Sequence, residues 1–403
     1  MGQFGVGQAL RRVEDERLLT GHGQFTDDIR LDGEAVGTLL RSPYAHAEIA
    51  AIDTAEAAAA PGVLAIYTSR DLDADGIGDI PCKTPLPGKG GRKMVMPGHP
   101  VLARGRVRHV GDPVAFVVAE TLAQAKDAAE LIEVDYQDLP TVVDTAAALD
   151  PDAPHIWDEA PDNLSLHWDL GNQAATDAAM AKAAHVTRLE LINNRLVVNA
   201  MEPRNALGDY DPAEDRFTLH TGSQGSHKLK PQLADDIFHV PAEKVRVVTP
   251  DVGGAFGMKN FLFAEQVLVL YAARALGRPV RWNGERGESF LSDSQGRDHV
   301  TTAELGLDAE GRFVAIRASI VANMGAYLSN FGPFIPTECC VKMLSGQYRI
   351  PAAYGDVKCV FTNTVPVDAY RGAGRPEAAH IVERLVDAAA YETGIDQIGR
   401  AHV

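Results

Sequence analysis

Three times in the later part of this 403-residue chain a strand-like run gives way to a glycine-bearing loop and then to a helix-like run. The first loop is Thr221-Gly222-Ser223-Gln224-Gly225-Ser226, followed by a helical pattern over 227–238. The second is Asp251-Val252-Gly253-Gly254-Ala255-Phe256-Gly257-Met258-Lys259, leading into 261–276. The third is Asp368-Ala369-Tyr370-Arg371-Gly372-Ala373-Gly374-Arg375, leading into 376–392, where Pro376 suits the first helical position and Glu377 the first turn. Glycine permits positive φ and a close backbone approach. Free N–H groups at a helix start, together with the helix dipole, attract anions. Arg371 and Arg375 flank the third loop, and a guanidinium binds phosphate or carboxylate in a fork. One such loop is ordinarily only a turn; three in one region predict a fold that wraps a phosphate-bearing cofactor. No nucleotide signature accompanies them. The segment 88–93 (GKGGRK) has the wrong spacing for a P-loop and lacks its hydroxyl, and there is no well-placed G-x-G-x-x-G.

Ahead of these loops the pattern is that of a smaller α/β unit. Apolar-alternating runs at 35–40 and 47–52, joined by Ser42-Pro43-Tyr44, read as strands. Thr54 is placed to cap an alanine-rich helix at 55–60, which Pro61-Gly62 would stop, and a strand follows at 63–67. Residues 71–112, rich in Gly, Pro and Lys, read as a long loop. The continuous apolar run PVAFVVA at 113–119 reads as a buried strand. Thr121 then starts a helix with apolar Leu122, Ala125, Ala129 and Ile132, and a strand follows near 133–136. Strand–helix–strand occurs twice, so 1–140 is expected to be one α/β domain. Residues 141–172, with an Asp-, Ala- and Pro-rich stretch from 144, read as a linker or surface wrap. A larger α/β domain is expected over 173–397, with strands at 186–192, 196–201, 217–220, 245–248, 299–307, 314–323 and 357–361.

Composition narrows the function classes. Hydrophobic residues make up 45% and charged residues 23%, as in a folded protein of two or three domains. The net charge of −17 argues against a nucleic-acid or anionic-membrane binder while leaving room for a local basic pocket. The four cysteines, Cys82, Cys339, Cys340 and Cys359, form no C-x-x-C pair, so buried free thiols are expected and an Fe–S cluster on this chain is not. The N-terminal stretch is charged early and lacks an apolar segment, and no run is long and apolar enough to span a bilayer; the expected location is the cytoplasm.

Taken as sequence, several segments resemble the xanthine dehydrogenase and aldehyde oxidase family of molybdenum hydroxylases, above all the large subunit of its carbon-monoxide-dehydrogenase-like branch. Residues 8–31 resemble that subunit's N-terminal segment. RSPYAHAEI, PGVLAIYTSRDL and GDPVAFVVAET resemble its hammerhead domain. NAMEPRNALGDYD, TGSQGSH, DVGGAFGMK and DAYRGAGRPE match family motifs in order. The likeness runs from about residue 7 to about residue 394. The resemblance implies an α+β / α/β architecture. An N-terminal hammerhead-like α/β domain with its arm (1–140) precedes the first part of a molybdenum-cofactor-binding α/β domain (173–397). Residues 398–403 are expected to be a non-native tail, because IGRAHV is the translation of a common sequencing-adapter string.

In such enzymes a pyranopterin-bound molybdenum, possibly in the cytosine dinucleotide form, hydroxylates an electron-poor carbon with oxygen from water. Electrons leave through [2Fe-2S] and FAD carried on small and medium partner subunits, in a dimer of heterotrimers. The substrate is a small molecule, with no nucleic acid and no membrane insertion. Carried onto this chain, Gln224 matches the glutamine whose amide hydrogen-bonds an oxo ligand of the metal. Gly253, Gly254, Ala255, Phe256 and Gly257 match backbone beside the metal. Arg371 matches the arginine that orients substrate or steadies negative charge, and Gly372, Ala373 and Gly374 match cofactor-contacting backbone. No side chain is expected to bind the metal directly. Blander readings stand beside these: Gln224 as a loop cap, Arg371 as a structural partner of Asp368 or Glu377, Glu202 as a buried structural carboxylate.

Two departures bear on the substrate. Copper-containing carbon monoxide dehydrogenases carry a cysteine in the third loop, and here 369–375 has none, which argues against a copper–molybdenum site. Purine hydroxylases have a glutamate where this chain has Asn260, which argues against xanthine. An aldehyde or an N-heterocycle is the better expectation. The family's general base lies in a Gly-Glu motif far towards the C-terminus, and the chain stops before it. The sequence is therefore expected to be a fragment that is inactive alone; the alternative is a non-catalytic paralogue or scaffold of the same fold.

Overall fold

The computed structural model describes residues 7–396. PVAFVVA is apolar throughout because both of its faces are covered. Pro113–Ala119 is buried at every position. Phe116 and Val118 point into a core shared with helix Ala264–Leu276, while Ala115, Val117 and Ala119 point into a second core against helix Leu122–Glu130. The strand lies in a seven-stranded sheet whose order is Val245–Val248, Arg216–His220, Asn205–Asp211, Val280–Asn283, Ala35–Arg41, Pro113–Ala119 and Val63–Thr68. Ala35–Arg41 pairs antiparallel with Pro113–Ala119 on one side and parallel with Val280–Asn283 on the other. The sheet thus crosses the boundary expected at 140.

A three-stranded antiparallel sheet of Arg106–Val107, Ala47–Asp53 and Glu133–Asp138 completes the early region. The third sheet runs Leu164–Gly171, Ala352–Phe361, Phe313–Gly325, His299–Leu307, His185–Asn193. Helix Arg375–Thr393 buries Ala378, Ile381, Val382, Leu385, Val386 and Ala389 in this sheet's core, a spacing of three and four residues.

The structure departs from expectation where polar composition hides order. Within 141–172, Leu164, Leu166 and Trp168 alternate inward and make Leu164–Gly171 an edge strand, so the linker ends in the sheet. The loop at 71–112 contains the end of helix Ser69–Ala74, a turn at Lys89–Gly91 and the short strand Arg106–Val107. The strand expected at 196–201 is absent: only Leu196 bridges, to Gly296, and the left-handed backbone of Asn199 (φ 52°) breaks the extension. Strands Asn205–Asp211 and Val280–Asn283 were not anticipated. Thr121 caps its helix by accepting from Gln124 N (3.3 Å), but Thr54 does not; the Asp53 carboxylate takes Ala55 N (2.9 Å) and the helix covers only Ala55–Ala58. The tail at 398–403 lies outside the described residues. Among the described residues no helix is long and apolar enough to cross a membrane.

Candidate active site

Arg216–His220 and Val245–Val248 lie side by side and parallel, so the loops that follow them, the first and second glycine loops, leave the sheet at the same edge. Ligands of open α/β sheets collect outside the carboxyl ends of such strands. The third loop joins from the five-stranded sheet, so the three loops that stand apart in sequence meet in space.

The first and second loops are tied through Gln224. Its backbone N–H donates to Lys259 O (2.9 Å), and its side-chain Oε1 accepts from Gly257 N (2.8 Å). The second and third are tied by Arg371 N–H donating to Phe256 O (2.9 Å). Gly257 adopts φ 108°, and a Cβ there would lie 2.4 Å from Ala369 O, so only glycine lets the two loops close. Phe256 (φ 51°) and Ala373 (φ 47°) hold left-handed conformations without being glycine, which marks backbone strain in the second and third loops.

Underneath lies a polar brace. Glu202 Oε2 accepts from Gly253 N (2.8 Å) and from Lys259 Nζ (2.7 Å), and its Oε1 accepts from Asn205 Nδ2 (3.1 Å). The Lys259 side chain is 1% exposed, and burial lowers its pKa against the opposing pull of Glu202. Glu202 thus ties the second loop to Lys259 and Asn205. The second loop is gripped from outside by the N-terminal arm: the Arg17 guanidinium chelates the Asp251 carboxylate, which also accepts from Gln24 N (2.7 Å). These bonds hold the Asp251 carboxyl down at about 2. In the third loop Asp368 accepts from Phe331 N (2.9 Å) and Ala369 N, yet burial pushes its carboxyl up to about 7.

Two expectations sharpen. The loop-capping and donor readings of Gln224 describe two ends of one amide: with Oε1 held by Gly257 N–H, the exposed NH₂ is left to donate outward. Arg371 does not pair with Asp368 or Glu377, because Asp368 faces backbone N–H groups and Glu377 is paired with Arg297 (2.7 Å). The Arg371 side chain is exposed and makes no hydrogen bond or ion pair among the described residues; its guanidinium lies 5.9 Å from the Phe256 ring centroid. Arg375 donates to Ala373 O (3.0 Å) and is tied to its own loop, whereas the Arg371 guanidinium is not. Cys339, distant in sequence, packs behind this loop: a Cβ on Gly374 would lie 2.7 Å from its own, and burial raises its thiol pKa. Among the described residues no group of three or more His, Cys, Asp or Glu is placed to hold a metal ion. No local sequence signal marks the Arg297 and Lys259 braces, because their partners lie 80 and 57 residues away.

The arrangement brings together three glycine-bearing loops, one exposed amide with a spare donor and one cation without a hydrogen-bond partner among the described residues. It suits a polyanionic group with a polar oxygen directed at Gln224.

Comparison with known proteins agrees with this chemistry. The family described as molybdopterin cofactor-binding domain matches residues 156–399, and the aldehyde oxidase and xanthine dehydrogenase a/b hammerhead domain matches residues 20–140. The 6-hydroxypseudooxynicotine dehydrogenase complex subunit gamma of Paenarthrobacter nicotinovorans is 34% identical over 98% of this chain and 49% of its own length. The carbon monoxide dehydrogenase large chain of Afipia carboxidovorans is 32% identical over 97% of this chain and 49% of its own. Among solved structures, quinoline 2-oxidoreductase from Pseudomonas putida 86 superposes with a TM-score of 0.90 at 34% identity, covering 97% of this chain and 49% of that one. The chain therefore spans about half the length of these relatives.

Proposed function

Because the chain belongs to the aldehyde oxidase and xanthine dehydrogenase family and carries its molybdopterin cofactor-binding domain, we propose that it forms the cofactor-binding part of a molybdenum hydroxylase that oxidises an aldehyde or an N-heterocycle. The observation that carries this proposal is the clamped amide of Gln224: Gly257 N–H holds its Oε1 where the loops meet, and its NH₂ has no partner among the described residues. Gln224, Gly253, Gly254, Ala255, Phe256, Gly257, Arg371, Gly372, Ala373 and Gly374 are the residues that would hold the cofactor.

When bound, that cofactor supplies a two-electron oxidant able to place oxygen drawn from water on an electron-poor carbon. The chain's own groups bind and orient it. Gln224 donates a hydrogen bond to an oxygen of the bound group, from an amide that needs no reorientation. Glycine backbone in the second and third loops lets N–H groups approach a phosphate. Arg371 offers a positive charge to a substrate oxygen or ring nitrogen, and Phe256, 43% exposed, gives an apolar surface beside it. Asn260, beside Gly225, stands where purine hydroxylases have a glutamate, which disfavours xanthine and leaves an aldehyde or another N-heterocycle. The third loop has no cysteine, and Cys339 behind it is buried with a raised thiol pKa, which disfavours copper and carbon monoxide oxidation. The electrons are proposed to pass to [2Fe-2S] and FAD on small and medium partner subunits, within a dimer of heterotrimers, and the pterin to be in the cytosine dinucleotide form.

The test is to purify the protein from a host that makes the cofactor, measure molybdenum by mass spectrometry and identify the nucleotide released on denaturation. Bound molybdenum with CMP is expected. Gln224→Ala should keep the metal but shift the visible absorption of the loaded protein, the effect of removing one preorganised donor. A wild-type protein that carries no molybdenum under these conditions would falsify the proposal.

A further inference from the structure

Arg297 belongs to none of the glycine loops, yet it is the residue on which the third loop rests. Its side chain is buried, 8% exposed as a residue, and both of its terminal nitrogens are engaged. Nη1 pairs with Glu377 Oε1 (2.7 Å) and reaches Tyr370 O (3.4 Å), and Nη2 donates to Arg371 O (2.8 Å). The guanidinium also sits 5.0 Å from the centroid of the Tyr370 ring. One cation therefore engages two consecutive carbonyls of the loop and the first turn of the helix that follows it.

The backbone beneath is strained in a way that holds this fork in place. Arg297 and Asp298 are both left-handed (φ 67° and 70°), and neither is glycine. Such a pair persists only where its surroundings over-determine it. Here they do. Asp298 accepts from Arg195 Nε (2.7 Å) and Thr145 Oγ1 (2.6 Å), and its N–H donates to Asn193 O (3.0 Å). The preceding Gly296 lies so close to Tyr370 that a Cβ would come within 2.4 Å of the tyrosine Cβ.

Arg371 is the complement of this arrangement. Its N–H is taken by Phe256 O (2.9 Å) and its C=O by Arg297, so its backbone is fixed at both ends while its own guanidinium bonds to nothing among the described residues. We infer that Arg297 is a positioning residue that fixes the direction in which Arg371 projects from the third loop, leaving that cation preorganised for an anionic or carbonyl-bearing ligand. Arg297 acts through Arg371 and touches no ligand. The inference rests on the proposed role of Arg371, but its geometric part does not.

Two variants separate positioning from stability. Arg297→Lys keeps a cation for Glu377 but cannot span two carbonyls; Arg297→Gln loses the ion pair as well. The first readout is hydrogen exchange at the Arg371 amide, followed by mass spectrometry in the purified protein and needing neither cofactor nor turnover. Both variants should speed that exchange about tenfold or more, the effect of losing one buried hydrogen bond, while amides in Ala352–Phe361 stay as in wild type. Unchanged exchange at Arg371 in both variants overturns the inference. The second readout is a double-mutant cycle on the dissociation constant for inorganic phosphate, an anion probe that needs no turnover. Arg297→Lys combined with Arg371→Lys should be no worse than Arg371→Lys alone; losses that multiply independently would assign Arg297 a purely structural role. If exchange responds but the wild-type protein takes up no molybdenum, the positioning stands and the proposed hydroxylase function is what has failed.

Discussion

Around Pro113–Ala119 the molecule is held by apolar contact on both faces of a strand; around Gln224 and Arg371 it is held by buried charge and by backbone that few residues can adopt. The first region tolerates change in proportion to the volume lost, because packing is a sum of many small contacts. The second does not, since each of its ties is a single bond between elements far apart in sequence. Strength is distributed in one and concentrated in the other.

That contrast is best broken at Lys259. Lys259→Met should cost about 3 kcal/mol in denaturant unfolding, because Glu202 is left without its cation, and adding Glu202→Gln should recover part of it. A loss below 1 kcal/mol, on the order of an exposed pair, would mean that the brace is dispensable. Next comes Gly257→Ala, with a loss of about 2–3 kcal/mol and of molybdenum, since φ 108° and the 2.4 Å approach to Ala369 O forbid a side chain. Gly33→Ala, also at positive φ but in open space, should cost about 1 kcal/mol and leave metal content alone. Val117→Ala in the strand should cost about 2 kcal/mol while the molecules that remain folded bind metal as before.

The comparison can also be sharpened through pH. His99, stacked on Tyr327 (4.3 Å) between the first and third sheets, is driven down to about 3 by burial. Its contribution is present above the ordinary histidine value and lost as pH falls from about 6.5 towards 3. Asp368, in the cradle, is raised to about 7; its contribution is present below the ordinary carboxyl value and lost as pH rises through 7. Melting temperature should therefore sag on both limbs, with His99→Phe flattening the acid limb and Asp368→Asn the neutral one. An unaltered profile in either variant would show that the group does not carry that limb.

How legible each region was in the sequence follows from the same difference. Apolar periodicity is local, so PVAFVVA, the Thr121 cap and the helix at Arg375–Thr393 could be read directly. The glycine loops were visible for a similar reason, since positive φ leaves a residue-type trace. The three loops were expected to serve one ligand, and they do meet. Their partners leave no trace: nothing around Arg297 in sequence points to Glu377, and Glu202 is surrounded by Gly253, Lys259 and Asn205 only in the folded chain. The strand Leu164–Gly171 was hidden by the Asp- and Pro-rich stretch before it, and 196–201 looked like a strand because its apolar content does not reveal the left-handed turn at Asn199.

The parallel pairing of Ala35 with Val280 sets a schedule for the nascent chain. At about 5–20 residues per second, the early strand waits roughly 10–50 s at the ribosome for its neighbour to be made. During that interval Ala35–Arg41 exposes a bare edge, the kind that recruits another strand. A chaperone supplied during synthesis, rather than afterwards, is what this topology asks of any host used to produce the protein.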